Sequence, residues 1–151
     1  KPQDVIYHNG DWSFGGVDKV SEFFNRLNCH NIHLILGNHD HHIAKKDSFE
    51  HNLFLSVNDI GIMTIKGQKI INCHLSMRTW YKASEGSWMF YGHSHGSLPP
   101  YGKKLQGNKE KDLFKTMDVG IDTHPEFRPY HVEELRVLMN KRSNLVLDHQ
   151  K

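Results

Sequence analysis

The apolar residues of this chain fall in short runs, and several runs stop at a glycine followed by a polar residue. Residues 4–8 read as a buried strand that breaks into a glycine-rich turn over 10–16. Val17, Val20, Phe23, Phe24 and Leu27 then recur at the spacing of an amphipathic helix, over 17–27. Residues 32–36 form the next apolar run. A strand, helix and strand of this length make a βαβ unit, with parallel strands and a right-handed crossover.

Beyond that unit the pattern changes. Residues 44–51 are polar and read as a short helix or loop. Residues 60–65 and 69–73 read as a hairpin, because Lys66-Gly67-Gln68 supplies a glycine where the chain must reverse. A helical turn over 79–84 and a short strand over 88–91 follow. Residues 98–111, rich in lysine and broken by prolines and glycines, read as a solvated loop. Residues 113–119 read as a last strand, and 129–142 as a closing helix that opens on Pro129 and runs through Val132, Leu135, Val137, Leu138 and Met139. There is no internal repeat, and 151 residues correspond to one domain, 1–151.

Composition narrows the classes. With 37% hydrophobic and 24% charged residues the chain reads as a soluble globular protein, neither disordered nor membrane-spanning. No window approaches the roughly 18 consecutive apolar residues of a transmembrane helix. A net charge of +2 is too small to imply a polyanionic partner. The lysines between 103 and 111 could grip a nucleic-acid backbone, but a charge run in a loop is usually solvated, so nucleic acid is not the favoured partner. Cys29 and Cys73 do not read as a disulfide framework, which favours a reducing cytoplasm. Residue 1 is Lys and the first strand starts within a few residues, so we expect sequence upstream of it.

Thirteen histidines are the anomaly, and they matter because His is both a metal ligand and a general acid or base. Four apolar runs end on ligand-type residues: Asp11 after Gly10; Asn38, His39 and Asp40 after Gly37; His74 after Cys73; and His93 and His95 in GHSHG. Ligands at the carboxyl ends of strands are where α/β sheets place their sites. Taken singly, the GNHD stretch could be only a turn, Asp11 an ordinary turn residue and His74 a core histidine. Two histidines between glycines gain nothing structurally, and the ordered set supports a metal site. Mixed nitrogen and oxygen donors suit Mn, Fe, Zn, Co or Ni better than Ca or a Cys-rich zinc site. Arg78, close behind His74, could fork onto a phosphate, or could simply lie on the surface. His41 and His42 read as decoration of an exposed turn. His8, His30, His33, His51, His124, His131 and His149 read as structural or surface residues.

In this order, Gly10-Asp11, Gly37 to Asp40, His74 and Gly92 to His95 resemble the calcineurin-like metallophosphoesterases. The stretches HLSMRTW and VGIDTHPEFRP look like small bacterial and phage members. The resemblance implies an α/β fold, an αββα sandwich of two mixed β-sheets flanked by helices. It implies two divalent transition metals, Mn first, with Asp11 bridging both, Asn38, His74 and His93 completing one, and His95 serving the other. It further implies that His39 stabilises the transition state or protonates the leaving oxygen, with Asp40 orienting it. The implied activity is hydrolysis of a phosphate mono- or diester through a metal-activated water. Its substrate would be a phosphorylated small molecule or nucleotide.

Two departures stand out. The family opens with an Asp-x-His motif that adds two ligands to the metal held by His95, and no such pair precedes Asp11. A truncated sequence, a single-metal variant and a degenerate metal-binding or scaffold relative each account for it. Asn9 replaces the usual leucine before Gly-Asp, which affects local packing more than function if it finds a hydrogen-bond partner.

Overall fold

The structure, a computed structural model, describes residues 1–102 and 113–146. Its elements run β1 (Ile6–His8), α1 (Val17–Arg26), β2 (Ile32–Ile35), β3 (Ser56–Asn58), β4 (Ile60–Ile65), β5 (Gln68–Cys73), β6 (Trp88–Tyr91), β7 (Thr116–Asp118) and α2 (Val132–Asn140). One-turn 3-10 segments lie at His51–Leu53 and Ile121–Thr123. Two sheets result, one of three strands in the order β1-β2-β3 and one of four in the order β4-β5-β6-β7.

The predicted βαβ unit is present. β1 and β2 pair in parallel, Ile6 beside Ile32 and His8 beside Leu34, with α1 as the crossover. Val20 and Phe24 of α1 pack with Ile32 and Leu34 over one face of the sheet, together with Trp12 and Phe54. Trp12 belongs to the turn after β1, and its indole N–H donates to the Val20 carbonyl at 3.2 Å. That bond fastens the turn to the helix, so the residues just before Trp12 leave the strand in a fixed direction.

β3 was not expected. Its pairing with β2, Leu34 beside Val57, is also parallel, so the expectation of two mixed sheets holds only for the second sheet. A single residue, Asp59, separates β3 from β4, and there the chain passes from one sheet to the other. The sheets meet where Ile35 lies over Gly61: a Cβ on that glycine would come within 2.8 Å of the Ile35 Cδ1 atom.

In the second sheet β4 and β5 form the predicted hairpin, turning on Lys66 (φ 48°) and Gly67 (φ 78°). Two successive positive φ angles give the twist that matches right-handed strands. β5, β6 and β7 are parallel. Alternation sends Ile70, Trp88 and Phe90 against Leu135 and Met139 of α2. It sends Ile71, Met89 and Tyr91 against Trp80, Ala83 and Leu145. Both faces are covered, which is why all four residues of β6 are buried.

Three expected boundaries move. The last strand contracts from 113–119 to Thr116–Asp118, with only isolated bridges at Leu113 and Phe114. The stretch over 79–84 makes hydrogen-bonded turns without becoming a helix. The closing helix begins at Val132 because His131 caps it: its ring accepts the Glu133 N–H, and Glu134 returns a carboxylate to the His131 N–H. Residues 103–111 of the lysine-rich loop, and His149, lie outside the described residues. No helix among the described residues is long and apolar enough to cross a membrane.

Candidate metal centre

Parallel strands place their carboxyl ends on one edge, so β1 and β2 deliver 9–12 and 37–40 side by side. The two turns interlock closely. A Cβ on Gly10 would lie 2.4 Å from His74 Nδ1 and 2.7 Å from Gly37 Cα, and a Cβ on Gly37 would lie 2.2 Å from Asp11 Oδ1. Both positions require glycine for close approach, and Gly10 also takes φ 89°. Asp11 follows in the left-handed region at φ 56°. Non-glycine residues there are held by their surroundings and cluster at functional sites.

Asp40 does the holding. Its carboxylate, fully buried, accepts the backbone N–H groups of Asp11, Trp12 and Gly37, each at 2.8 Å. The expected role was to orient His39. The bonds formed instead go to the main chain, so Asp40 acts on the two turns that carry Asp11 and Asn38. Three charge-assisted bonds to amides make a stiff tie between strands far apart in sequence. His39 is exposed; its backbone N–H donates to Asp11 Oδ1 at 3.1 Å, and its ring lies 4.8 Å from that of Phe14.

The second sheet brings the imidazoles. His74 directly follows β5 and His93 lies two residues past β6, and the Gly92 N–H donates to the His74 carbonyl at 3.1 Å, joining the two exits. His74 is buried, with Nδ1 2.7 Å from the Asn9 carbonyl oxygen. A carbonyl only accepts, so Nδ1 carries a proton, and Nε2 is the nitrogen turned toward the site. Nε2 lies 3.0 Å from Asn38 Oδ1, 3.1 Å from His93 Nδ1 and 3.4 Å from Asp11 Oδ2. Two acceptor oxygens and two imidazole nitrogens thus converge, and a cation among the four atoms would satisfy all of them. The donor atoms of Asp11, His74 and His93 lie within 4.8 Å of one another. Asn9, whose place before Gly-Asp was the second departure, contributes through its main chain by fixing the His74 tautomer.

His95 stands apart from that group. It is exposed, takes φ 49°, and places Nδ1 2.5 Å from Asp122 Oδ2. The Asp122 carboxylate raises the His95 pKa above its ordinary value. Asp118, at the end of β7, accepts the Gly96 N–H at 3.1 Å and the Gly120 N–H at 2.9 Å, tying the GHSHG turn to the turn after β7. Neither Asp118 nor Asp122 was among the expected site residues. Their only signal was position: acids at and just beyond the end of an apolar run, as Asp11 is.

Arg78 lines a cleft of about 320 Å³ with Met77, Tyr91, Leu98 and Tyr101. A larger recess, about 460 Å³, lies beside α2, where Arg128 and Glu134 line it and are already paired with each other.

The family model for calcineurin-like phosphoesterases matches residues 1–114. The chain belongs to that family. Among solved structures it is similar to a protein of unknown function from Aquifex aeolicus, with 20% identity, a TM-score of 0.56, and coverage of 91% of this chain and 77% of that one. That likeness supports the fold. No curated protein matches the chain. Calcineurin-like phosphoesterases are metal-dependent, and the converging donors of this member fit such an ion: two carbonyl-type or carboxylate oxygens and two imidazole nitrogens, with no thiolate.

Proposed function

We propose that the chain hydrolyses a phosphate mono- or diester at the point where Asp11, Asn38, His74 and His93 converge. The observation that carries the reading is the convergence of His74 Nε2 with Asn38 Oδ1, His93 Nδ1 and Asp11 Oδ2. Asp11, Asn38, His74 and His93 would hold one divalent ion, Mn first among Mn, Fe, Zn, Co and Ni, and Asp11 with His95 a second. Two such ions, when bound, polarise phosphoryl oxygens and make water nucleophilic at neutral pH.

The chain's own groups supply the rest. His39 projects from a turn fixed by Asp40 and by its own N–H bond to Asp11, so its exposed ring can give a proton to the leaving oxygen. With Nδ1 engaged by Asp122, His95 keeps Nε2 free as a ligand. Arg78 is the candidate for the substrate's anionic group. The substrate is then a phosphorylated small molecule or nucleotide, met in a reducing cytoplasm, in keeping with the free thiols of Cys29 and Cys73.

A second reading has one observation in its favour: His95 lies outside the clustered donors. A protein that binds one metal and turns nothing over would show this. Hydrolysis of p-nitrophenyl phosphate and bis-p-nitrophenyl phosphate, measured with Mn and after chelation, separates the two. Mn-dependent turnover supports the hydrolase; Mn binding without turnover of either ester supports the binding protein.

A further inference from the structure

Five arginines occur in the chain, and four are engaged. Arg26 faces Glu22, Arg128 pairs with Glu126 and Glu134, Arg136 with Glu133, and Arg142 donates to the Thr116 carbonyl. Among the described residues, no hydrogen bond or ion pair engages Arg78. An unpaired guanidinium in a cleft offers five donors to an anion.

The cleft around it is built from the same segments as the metal centre. Met77 and Arg78 lie three and four residues past His74, Tyr91 two before His93, and Leu98, Pro99 and Tyr101 three to six past His95. Four residues of extended chain span at most about 14 Å, so Arg78 cannot be far from the end of β5. The other walls are apolar or aromatic. Tyr91 is buried between the strands, so what it gives the cleft is a fixed wall. Tyr101 is held edge-on against Phe114 at 5.0 Å. A volume of about 320 Å³ is at the scale of small-molecule sites, which combine apolar walls with few polar anchors.

We infer that this cleft receives the non-scissile side of the substrate, and that this side carries a flat ring together with an anionic group, the chemistry of a nucleotide. The ring lies among Met77, Leu98, Pro99 and Tyr101, and the anion takes the Arg78 fork. The inference rests on the phosphoesterase reading for the word substrate, but the cleft's ligand preference is measurable without turnover.

The full chain is titrated with adenosine 5′-monophosphate, adenosine and ribose 5-phosphate by calorimetry, with chelator present so that no metal takes the phosphate. The nucleotide should bind saturably, and each fragment about ten-fold or more weaker. Arg78→Ala, an exposed and unpartnered position whose loss should leave folding unchanged, should bring the nucleotide down to the level of adenosine. Arg78→Lys should retain part of the difference, and Leu98→Trp, which fills the cleft, should remove nucleotide and nucleoside binding alike. Equal nucleotide affinity in wild type and Arg78→Ala, or ribose 5-phosphate binding as tightly as the nucleotide, overturns the inference. The same preparations are assayed with Mn on bis-p-nitrophenyl phosphate. Turnover without Arg78-dependent nucleotide binding overturns the cleft assignment alone. Arg78-dependent binding without turnover upholds the ligand class and overturns the hydrolase reading.

Discussion

Asp40 accepts the backbone N–H of Asp11 at 2.8 Å, joining the exit of β1 to the exit of β2 across 29 residues of sequence. The same carboxylate takes the Gly37 and Trp12 amides, so one buried acid sets the separation between the turn that carries Asp11 and the turn that carries Asn38 and His39. Asp40→Ala leaves three amides without their acceptor. Each buried amide so stranded costs about 1–3 kcal/mol, so a loss of about 3 kcal/mol or more in urea unfolding is expected, with loss of metal binding. Retention of wild-type stability would remove Asp40 from this role.

His39 makes the opposite prediction. Its side chain is exposed and touches Phe14, so His39→Ala should shift unfolding by no more than about 0.5 kcal/mol and leave metal binding intact. The kcat for phosphate ester hydrolysis should fall about 10²- to 10⁴-fold, as for loss of a general acid. The fall should be smaller for p-nitrophenolate, a leaving group that needs little protonation, than for an alkoxide.

Asp122 bears on His95 in the same way that the Asn9 carbonyl bears on His74. Asp122→Asn should weaken the weaker of two Mn-binding steps by about 10- to 100-fold while leaving the tighter step unchanged. Isothermal titration with Mn reads both steps. Equal weakening of both would place Asp122 in general folding of the GHSHG turn.

Two groups give stability a pH dependence with separable windows. Burial holds the His8 imidazole below its ordinary 6.5, and its Nδ1 is buried without a hydrogen-bond partner among the described residues. The folded state therefore resists protonation there, and stability should decline as pH falls below 6.5. Arg128, with the His131 N–H, lowers the Glu134 pKa from 4.5 to about 2. Its contribution is present above 4.5 and is lost as pH falls from there toward 2. Thermal unfolding against pH should show a shallower first decline in His8→Phe and a shallower second one in Glu134→Gln.

Much of the site was legible because its ligands sit where apolar runs break. Gly10-Asp11, Gly37-Asn38, His74 and Gly92-His93 all begin within two residues of a strand end, and parallel pairing then obliges the first two to share one edge of the first sheet and the last two one edge of the second. What could not be read depends on contacts between distant segments. Asp40 follows His39 in sequence, which invites a pairing of the two, yet its bonds run to the amides of Asp11 and Trp12 in the turn after β1 and of Gly37 in its own turn. Asp122 meets His95 only because β7 lies beside β6. The strand Ser56–Asn58 is three residues with two polar side chains, too short for any periodicity to show. The start of α2 moved because a histidine, seldom a helix cap, takes that place at His131.

The most direct test is Mn-dependent hydrolysis of bis-p-nitrophenyl phosphate by the chelator-stripped chain, wild type against His74→Ala. Turnover that rises to saturation with Mn in the wild type and is absent in His74→Ala at every Mn concentration is the expected result. Wild-type inactivity at saturating Mn, or turnover that survives loss of His74, would contradict hydrolysis at this centre.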